Sequence, residues 1–328
     1  IVGTYDLESF HYEGARRDLQ GRGFLGFAYR SWIDDRDGTA QRRSYKQDFP
    51  FIGFVTNARR TQEPSGTVIS EVAAVPAAHS YGSGTEARSL PFTSTVTRTE
   101  REVGGPYNGN LVRTIVQNNS VDSATGVTYD TTVTVSEPTS GSANGVQAGA
   151  SYVQRTYQPT ASFLNDWTNW CFGRPQEVQQ INSHNQVGGG AITRTSSITW
   201  DALKCRPTQT KAEPGHAQLQ VNRDLGYDNF GNFNSDRTTG IGVTEERTTT
   251  AEWDTMGRFP LSVTQRVSPT VSHATHFGWD TDKGLLTSST DPNNVETGYV
   301  YDAFGRLIGE RSTGRHEARP HIQFLSSS

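Results

Sequence analysis

The sequence predicts an all-β fold, an antiparallel sheet strip assembled from a repeated hairpin unit, and three observations carry that prediction. Hydrophobic residues make up only 33% of the chain while aromatics reach 10%, a balance that suits thin sheets with one buried and one wet face per strand. Helical periodicity is almost absent; Thr, Val, Ser and Gly dominate, and apolar residues tend to alternate with polar ones. A six-residue pattern, aromatic-Asp-x-x-Gly-polar, recurs through the second half at near-regular intervals.

Taken in chain order, residues 95–99 alternate as a strand, and residues 111–116 form a more apolar one. Residues 128–135 are a run rich in β-branched side chains. With the polar cluster 118–126 between them, the last two read as a hairpin with a long loop. Residues 80–85 and 138–149 read as surface loops, and a short helix is expected only around 163–170. Soft boundaries near 60 and 160 divide the chain into a first segment, 1–60, a hairpin region, 61–160, and a repeat array, 161–328.

The array rests on Tyr227-Asp228-Asn229-Phe230-Gly231-Asn232, Trp253-Asp254-Thr255-Met256-Gly257-Arg258 and Tyr301-Asp302-Ala303-Phe304-Gly305-Arg306. Looser copies are Trp279-Asp280 with Gly284, Trp200-Asp201, and Trp170 with Gly173-Arg174. The leading aromatics at 170, 200, 227, 253, 279 and 301 are 30, 27, 26, 26 and 22 residues apart. An Asp opening a turn accepts backbone N–H groups two residues on, and the Gly supplies the positive φ of a turn followed by a bulge. The ring before the turn is expected to stack on its equivalent in the next unit. Burying each such ring is worth roughly 1.5–3 kcal/mol. Units of this length hold two to four short strands and add one after another into a curving sheet.

The formal charge of −4 comes with no basic stripe, which argues against a nucleic-acid partner. Most cations are Arg, with Lys only at 46, 204, 211 and 283, so many are expected to tie strands or loops together. No apolar run is long enough to span a bilayer, and Ile1-Val2-Gly3 follows no leader pattern. Both ends are expected to be cuts from a longer chain. Cys171 and Cys205 each follow a tryptophan in successive units, so one bridge between nearby rungs is open to them; buried free thiols are the favoured state.

Residues 291–307, running from Asp291-Pro292 through Thr297-Gly298-Tyr299-Val300-Tyr301-Asp302 to Gly305-Arg306-Leu307, resemble the YD-repeat consensus of Rhs proteins. They depart from it mildly, with Asn293-Asn294 in place of a pair containing Gly and Gly298 before Tyr299. Near the start, Tyr12-Glu13-Gly14, Gly21-Arg22-Gly23-Phe24-Leu25-Gly26-Phe27 and Gln47-Asp48-Phe49-Pro50 resemble a segment preceding the repeats in Rhs proteins and in the B component of insecticidal toxin complexes. The resemblance covers about residues 10–55 and 165–312. It implies a strip winding into a partial hollow β-shell that encloses a toxic C-terminal cargo, and a secreted or cell-surface location. More distantly, teneurins use such a shell in adhesion.

Other motifs carry blander readings. Gly21-Arg22-Gly23-Phe24-Leu25-Gly26 has the letters of a dinucleotide fingerprint but lacks the flanking strand and helix, so a tight strand corner is expected. Ile1-Val2-Gly3 is similar to the start of trypsin-like proteases, yet no Gly-Asp-Ser-Gly follows. Asp34-Asp35-Arg36-Asp37-Gly38 is a solvated turn rather than a calcium loop, because the closing Glu is missing. His273 and His276, three apart, would point to opposite faces of a strand and make a poor metal clamp; His316 and His321 lie five apart, and no metal is expected. The sequon Asn118-Asn119-Ser120 carries little weight, and no self-cleavage core segment like that of Rhs chains is read between the repeats and Ser328.

These readings give a non-catalytic scaffold without cofactor or metal, whose partners are the remaining segments of the same polyprotein or a toxin cargo. The competing reading is an extracellular adhesion or fibre module that binds glycans or its own copies through unpaired edge strands.

Overall fold

In a computed structural model of the chain, residues 9–138, 148–186, 188–242 and 246–313 are described. It divides into two compact units, 1–195 and 196–328. The strand Val55–Gln62 runs across residue 60 and pairs with a strand on either side.

In the first unit the strands are β1 (Ser9–Glu13), β2 (Arg17–Asp18), β3 (Gly23–Phe24), β4 (Tyr29–Asp34) and β5 (Thr39–Tyr45). They continue as β6 (Val55–Gln62), β7 (Thr67–Tyr81), β8 (Arg88–Arg101), β9 (Leu111–Val121) and β10 (Thr128–Ser136). Last come β11 (Ser151–Tyr157), β12 (Phe163–Asp166), β13 (Cys171–Pro175) and β14 (Glu177–His184). β15 (Ile192–Asp201) crosses the divide. An antiparallel ribbon runs β1-β4-β5-β6-β7-β8-β9-β10-β11-β14, each strand paired with the next. β2–β3 and β12–β13 are separate small hairpins.

The β9–β10 hairpin is as expected, but its strands run longer and its turn is only Asp122–Gly126, because Val135 opposite Ile115 and Thr131 opposite Asn119 keep the ladder going. Residues 163–170, expected as a helix, are instead strand β12 and a turn. Helical geometry is confined to single 3₁₀ turns at Gly84–Glu86, Gly105–Tyr107 and Thr160–Ser162 among the described residues. Of the loop read at 138–149, residues 139–147 lie outside the described residues, as do Ile1-Val2-Gly3 and His316 with His321.

The second unit adds β16 (Arg206–Ala212), β17 (Val221–Tyr227), β18 (Phe233–Gly240), β19 (Arg247–Trp253) and β20 (Pro260–Arg266). It ends with β21 (Ser272–Asp280), β22 (Leu285–Thr290), β23 (Glu296–Tyr301) and β24 (Leu307–Ser312). From β15 to β24 every strand pairs antiparallel with its successor in sequence, a meander without crossovers.

Buried side chains are few: Leu25, Trp32, Val121, Ala150, Phe163 and Cys171, with Thr39 and polar Ser262. Ser262 alone represents the second unit among the described residues. Stability must therefore come from ladder hydrogen bonds, turn chemistry and half-buried rings rather than from a thick core.

Candidate functional site

The repeating element of the second unit is a hairpin turn closed by its own aspartate. At Asp302 one carboxylate oxygen accepts the N–H groups of Phe304 and Arg306, both at 2.9 Å, and the other takes the Arg306 guanidinium at 2.6 Å. Asp228 repeats the arrangement with Phe230 and Asn232 N–H at 2.9 and 2.8 Å and the Asn232 amide at 3.1 Å. Asp254 binds the Arg258 and Phe259 N–H groups and the Arg258 guanidinium. The sixth residue of the hexad is thus a staple for the carboxylate.

These contacts hold the carboxyl groups below their ordinary range. For Asp302 the main cause is the Arg306 N–H; for Asp280, that of Lys283; for Asp291, that of Val295. At Asp228 and Asp254 partial desolvation pushes upward, and the turn's hydrogen bonds outweigh it.

Two loop lengths share this chemistry. In the well-formed hexads the residue three after Asp has positive φ: Gly231 (97°), Gly257 (66°) and Gly305 (78°). In the looser copies it is the fourth: Gly284 after Asp280 (70°) and Cys205 after Asp201 (50°). Asp201 accepts from Leu203 and Lys204 N–H at 3.1 and 3.3 Å, and Asp280 from Asp282 and Lys283, both at 3.1 Å. One inserted residue therefore explains why these copies read as imperfect.

The leading rings Trp200, Tyr227, Trp253, Trp279 and Tyr301 are half-buried, each just after a bulge in its hairpin. Their cross-strand partners are Pro207, Phe233, Pro260, Leu286 and Leu307. Among the described residues, the expected stacking of ring on equivalent ring is not seen between Tyr227, Trp253, Trp279 and Tyr301. Instead, the Tyr227 hydroxyl donates to the Pro207 carbonyl at 2.9 Å, Trp253 Nε1 to Phe233 O at 2.9 Å, and Trp279 Nε1 to Pro260 O at 2.8 Å. Each of these three rings thus bonds the residue opposite the previous ring, a distance set by the width of one hairpin. Ring contacts are to other groups: Trp279 stacks on Phe259 at 5.0 Å, and Arg206 lies 4.4 Å over Tyr227.

The first expected copy is placed differently. Trp170 is 79% exposed and occupies the positive-φ turn position (55°) rather than the leading one. The turn aspartate is Asp166, which accepts the N–H groups of Thr168 and Asn169 at 3.0 and 3.1 Å. Gly173 lies on β13, where a Cβ would meet Val127 Cγ2 at 2.8 Å, and Arg174 pairs across to Leu164. Ring identity misled the register, because Asn165 stands in the leading position.

The same turn also recurs in the first unit, where the sequence shows no repeat. Asp34 with Gly38 and Asp122 with Gly126 have the four-residue spacing and positive φ of 62° and 74°. Ile33 and Val121 replace the ring there, which removed the only signal. Arg36 binds both Asp34 oxygens and is the main cause of that carboxyl's pKa of about 2, while Arg60 and Thr39 occupy Asp37. The three first-unit motifs quoted from sequence are joined through Gln47, whose amide donates to Gly14 O and Gly26 O at 2.7 and 2.8 Å. Gly21, Gly23 and Gly26 form the corner around β2–β3, all at positive φ.

No three His, Cys, Asp or Glu side chains converge as metal ligands among the described residues, and His273 and His276 sit exposed on β21. Asn118 lies within β9, its amide oxygen held by the Thr95 hydroxyl at 3.0 Å. Neither cysteine is free; both are disulfide-bonded, which corrects the favoured expectation of thiols. Among the described residues no helix is long and apolar enough to cross a membrane.

Residues 279–317 match the RHS Repeat family. No curated protein sequence matches the chain. Among solved structures, the crystal structure of TcdB2-TccC3 is similar at 10% identity and a TM-score of 0.66, over 98% of this chain and 23% of that one. TcdB2-TccC3 without its hypervariable C-terminal region aligns at 9% identity and TM-score 0.65, over 96% of this chain and 22% of that one. TcdB2-TccC3-Cdc42 aligns at 9% and 0.63, over 98% and 22%. The chain therefore spans less than a quarter of these structures while sharing their fold over nearly its whole length.

Proposed function

We propose that this chain, which matches the RHS Repeat family over residues 279–317 and shares the fold of TcdB2-TccC3, is a non-catalytic wall segment of an Rhs-type shell whose sheet encloses or presents a polypeptide cargo. The observation that carries the reading is a sheet with almost no core of its own. Hydrogen-bonded turns and rings make the ribbon rigid, yet its faces remain half-exposed along most strands. Such a surface suits contact with a further layer of polypeptide rather than a small substrate. The likeness to TcdB2-TccC3, one of whose structures omits a hypervariable C-terminal region, supports a cargo from the same assembly. Its mechanism is geometric: a stiff wall keeps partners and proteases away from what lies behind it.

The disulfide state of both cysteines supports export to an oxidising compartment. The test is limited proteolysis of the polypeptide encoded next to this segment, produced with and without it. Protection that requires the wall is the expected result. Equal cleavage rates in both preparations overturn the proposal.

A further inference from the structure

The β12–β13 hairpin of the first unit stands outside the ribbon as a two-stranded sheet of its own. Its base is fixed. Phe163 and Cys171 are buried, Cys171 is disulfide-bonded, and the Gly173 N–H donates to the Asn165 side chain at 2.8 Å. A Cβ at Gly173 would press on Val127 and Thr125, so the hairpin sits tightly against the β9–β10 turn. Its tip is open instead: Trp167 and Trp170 are exposed by 58% and 79%. Trp167 stacks one face on Phe172 at 4.5 Å and 14°, which leaves its other face to solvent. Trp170 stands 6.1 Å from the same ring, tilted by 52°.

Trp170 is strained where it stands. It takes the positive-φ position (55°) that Gly38, Gly126 and Gly284 fill in the other turns of this length. Where Cys205 fills it, a disulfide gives that side chain its use. The Trp170 ring has no comparable use within the fold, being almost bare of packing. Strain held without structural return marks a group kept for contact with something else.

We infer that this tip is a binding site for a neutral saccharide, the apolar C–H face of a pyranose lying on the open indole faces of Trp167 and Trp170. Chemistry favours that ligand. Both indole N–H groups, the Thr168 hydroxyl and Asn169 Oδ1 make no hydrogen bond among the described residues, so donors and acceptors border a flat apolar surface. A sugar is the complement, apolar on its ring face and hydroxylated round its rim. Size agrees: the two rings leave open about 300 Å², the scale of one or two pyranoses, against about 800 Å² per partner in a standard protein interface. Charge agrees too. Asp166 is the one charged side chain in 165–170, and the Asn169 amide holds its carboxyl below the usual range, which disfavours anionic lipid and nucleic acid. The fixed base leaves little to be ordered on binding.

Saturation-transfer NMR on the full chain with cellotriose, chitotriose and lactose tests this. Transfer to the ring protons of at least one sugar is expected, with a Kd of about 0.1–1 mM. Trp167→Ala and Trp170→Gly should each weaken it about tenfold or more. Trp170→Gly should nevertheless unfold in urea at the parent midpoint or above it, because glycine relieves the strained backbone. No transfer to any of the three sugars overturns the inference, as does transfer that Trp170→Gly leaves unchanged. A midpoint for Trp170→Gly below the parent's also overturns it, by giving the ring a structural role. So does flotation of the chain with phosphatidylcholine vesicles that this variant abolishes, which would assign the tip to a membrane surface. The wall reading does not require the site, so the two fail separately.

Discussion

Trp253 Nε1 donates a 2.9 Å hydrogen bond to the main-chain carbonyl of Phe233, the residue that stands opposite Tyr227 in the preceding hairpin. That bond makes one hairpin the acceptor for the next, and it recurs from Tyr227 to Pro207 and from Trp279 to Pro260. The ladder transmits register along the ribbon through main-chain acceptors, so it tolerates any side chain at the accepting position.

Trp253→Phe keeps a ring in place and removes the donor. Unfolding in urea should show a loss of about 1 kcal/mol, rising toward 3 if the Phe233 carbonyl stays dry. Tyr227→Phe should lose about 1 kcal/mol in the same measurement. If both variants match the parent midpoint, the rings act by packing alone.

Turn glycines should differ in sensitivity. Gly305→Ala meets nothing closer than Leu285 at 3.9 Å, so only the left-handed backbone is penalised, by about 1–2 kcal/mol. At Gly257 a Cβ would overlap the Phe230 ring, and moving that ring adds about 1 kcal/mol or more. Gly257→Ala should therefore be the less stable variant by denaturant midpoint.

Acid should unpick the turns. Asp166, Asp228, Asp254, Asp280, Asp291 and Asp302 all have lowered carboxyl pKa values, and Asp34 lies at about 2. A lowered folded pKa means that the ionised form is favoured by folding. The stabilisation is complete above the unfolded value, about 4, and is lost as pH falls through the folded values. Denaturant midpoints should be level from neutral pH down to about 5 and fall between about 4 and 2. Asp302→Asn should reduce proton uptake on unfolding by a fraction of one proton in that window. A midpoint that is constant to pH 2 contradicts the turn chemistry.

Thiol titration under denaturing conditions without reductant should find no reactive cysteine, since Cys171 and Cys205 are both disulfide-bonded. Two reactive thiols per chain would contradict that state.

How much of this was legible follows from where the signal lies. The hexads at 227, 253 and 301 announce themselves because ring, Asp and Gly coincide, and their turns form as the residues imply. The copies at Asp201 and Asp280 are blurred by one extra loop residue, which moves the positive φ without altering the Asp chemistry. Trp170 was misread because a ring is a conspicuous letter, while the operative Asp166 follows an unremarkable Asn165. The turns at Asp34 and Asp122 lack a ring altogether. Hydrogen bonding between rings and carbonyls one hairpin away involves a generic backbone acceptor, so no residue type could have marked it.

The wall claim is tested most directly by hydroxyl-radical footprinting of the segment alone and together with its neighbouring polypeptide. Side chains alternate across a strand, so a cargo lying against one face should protect every second residue. Along β20 that separates Leu261, Val263 and Gln265 from Ser262 and Thr264; along β9 it separates Ile115 from Val116. Protection with this period of two, on the same face of neighbouring strands, is the predicted result. Protection of both faces alike, or of neither, would contradict it.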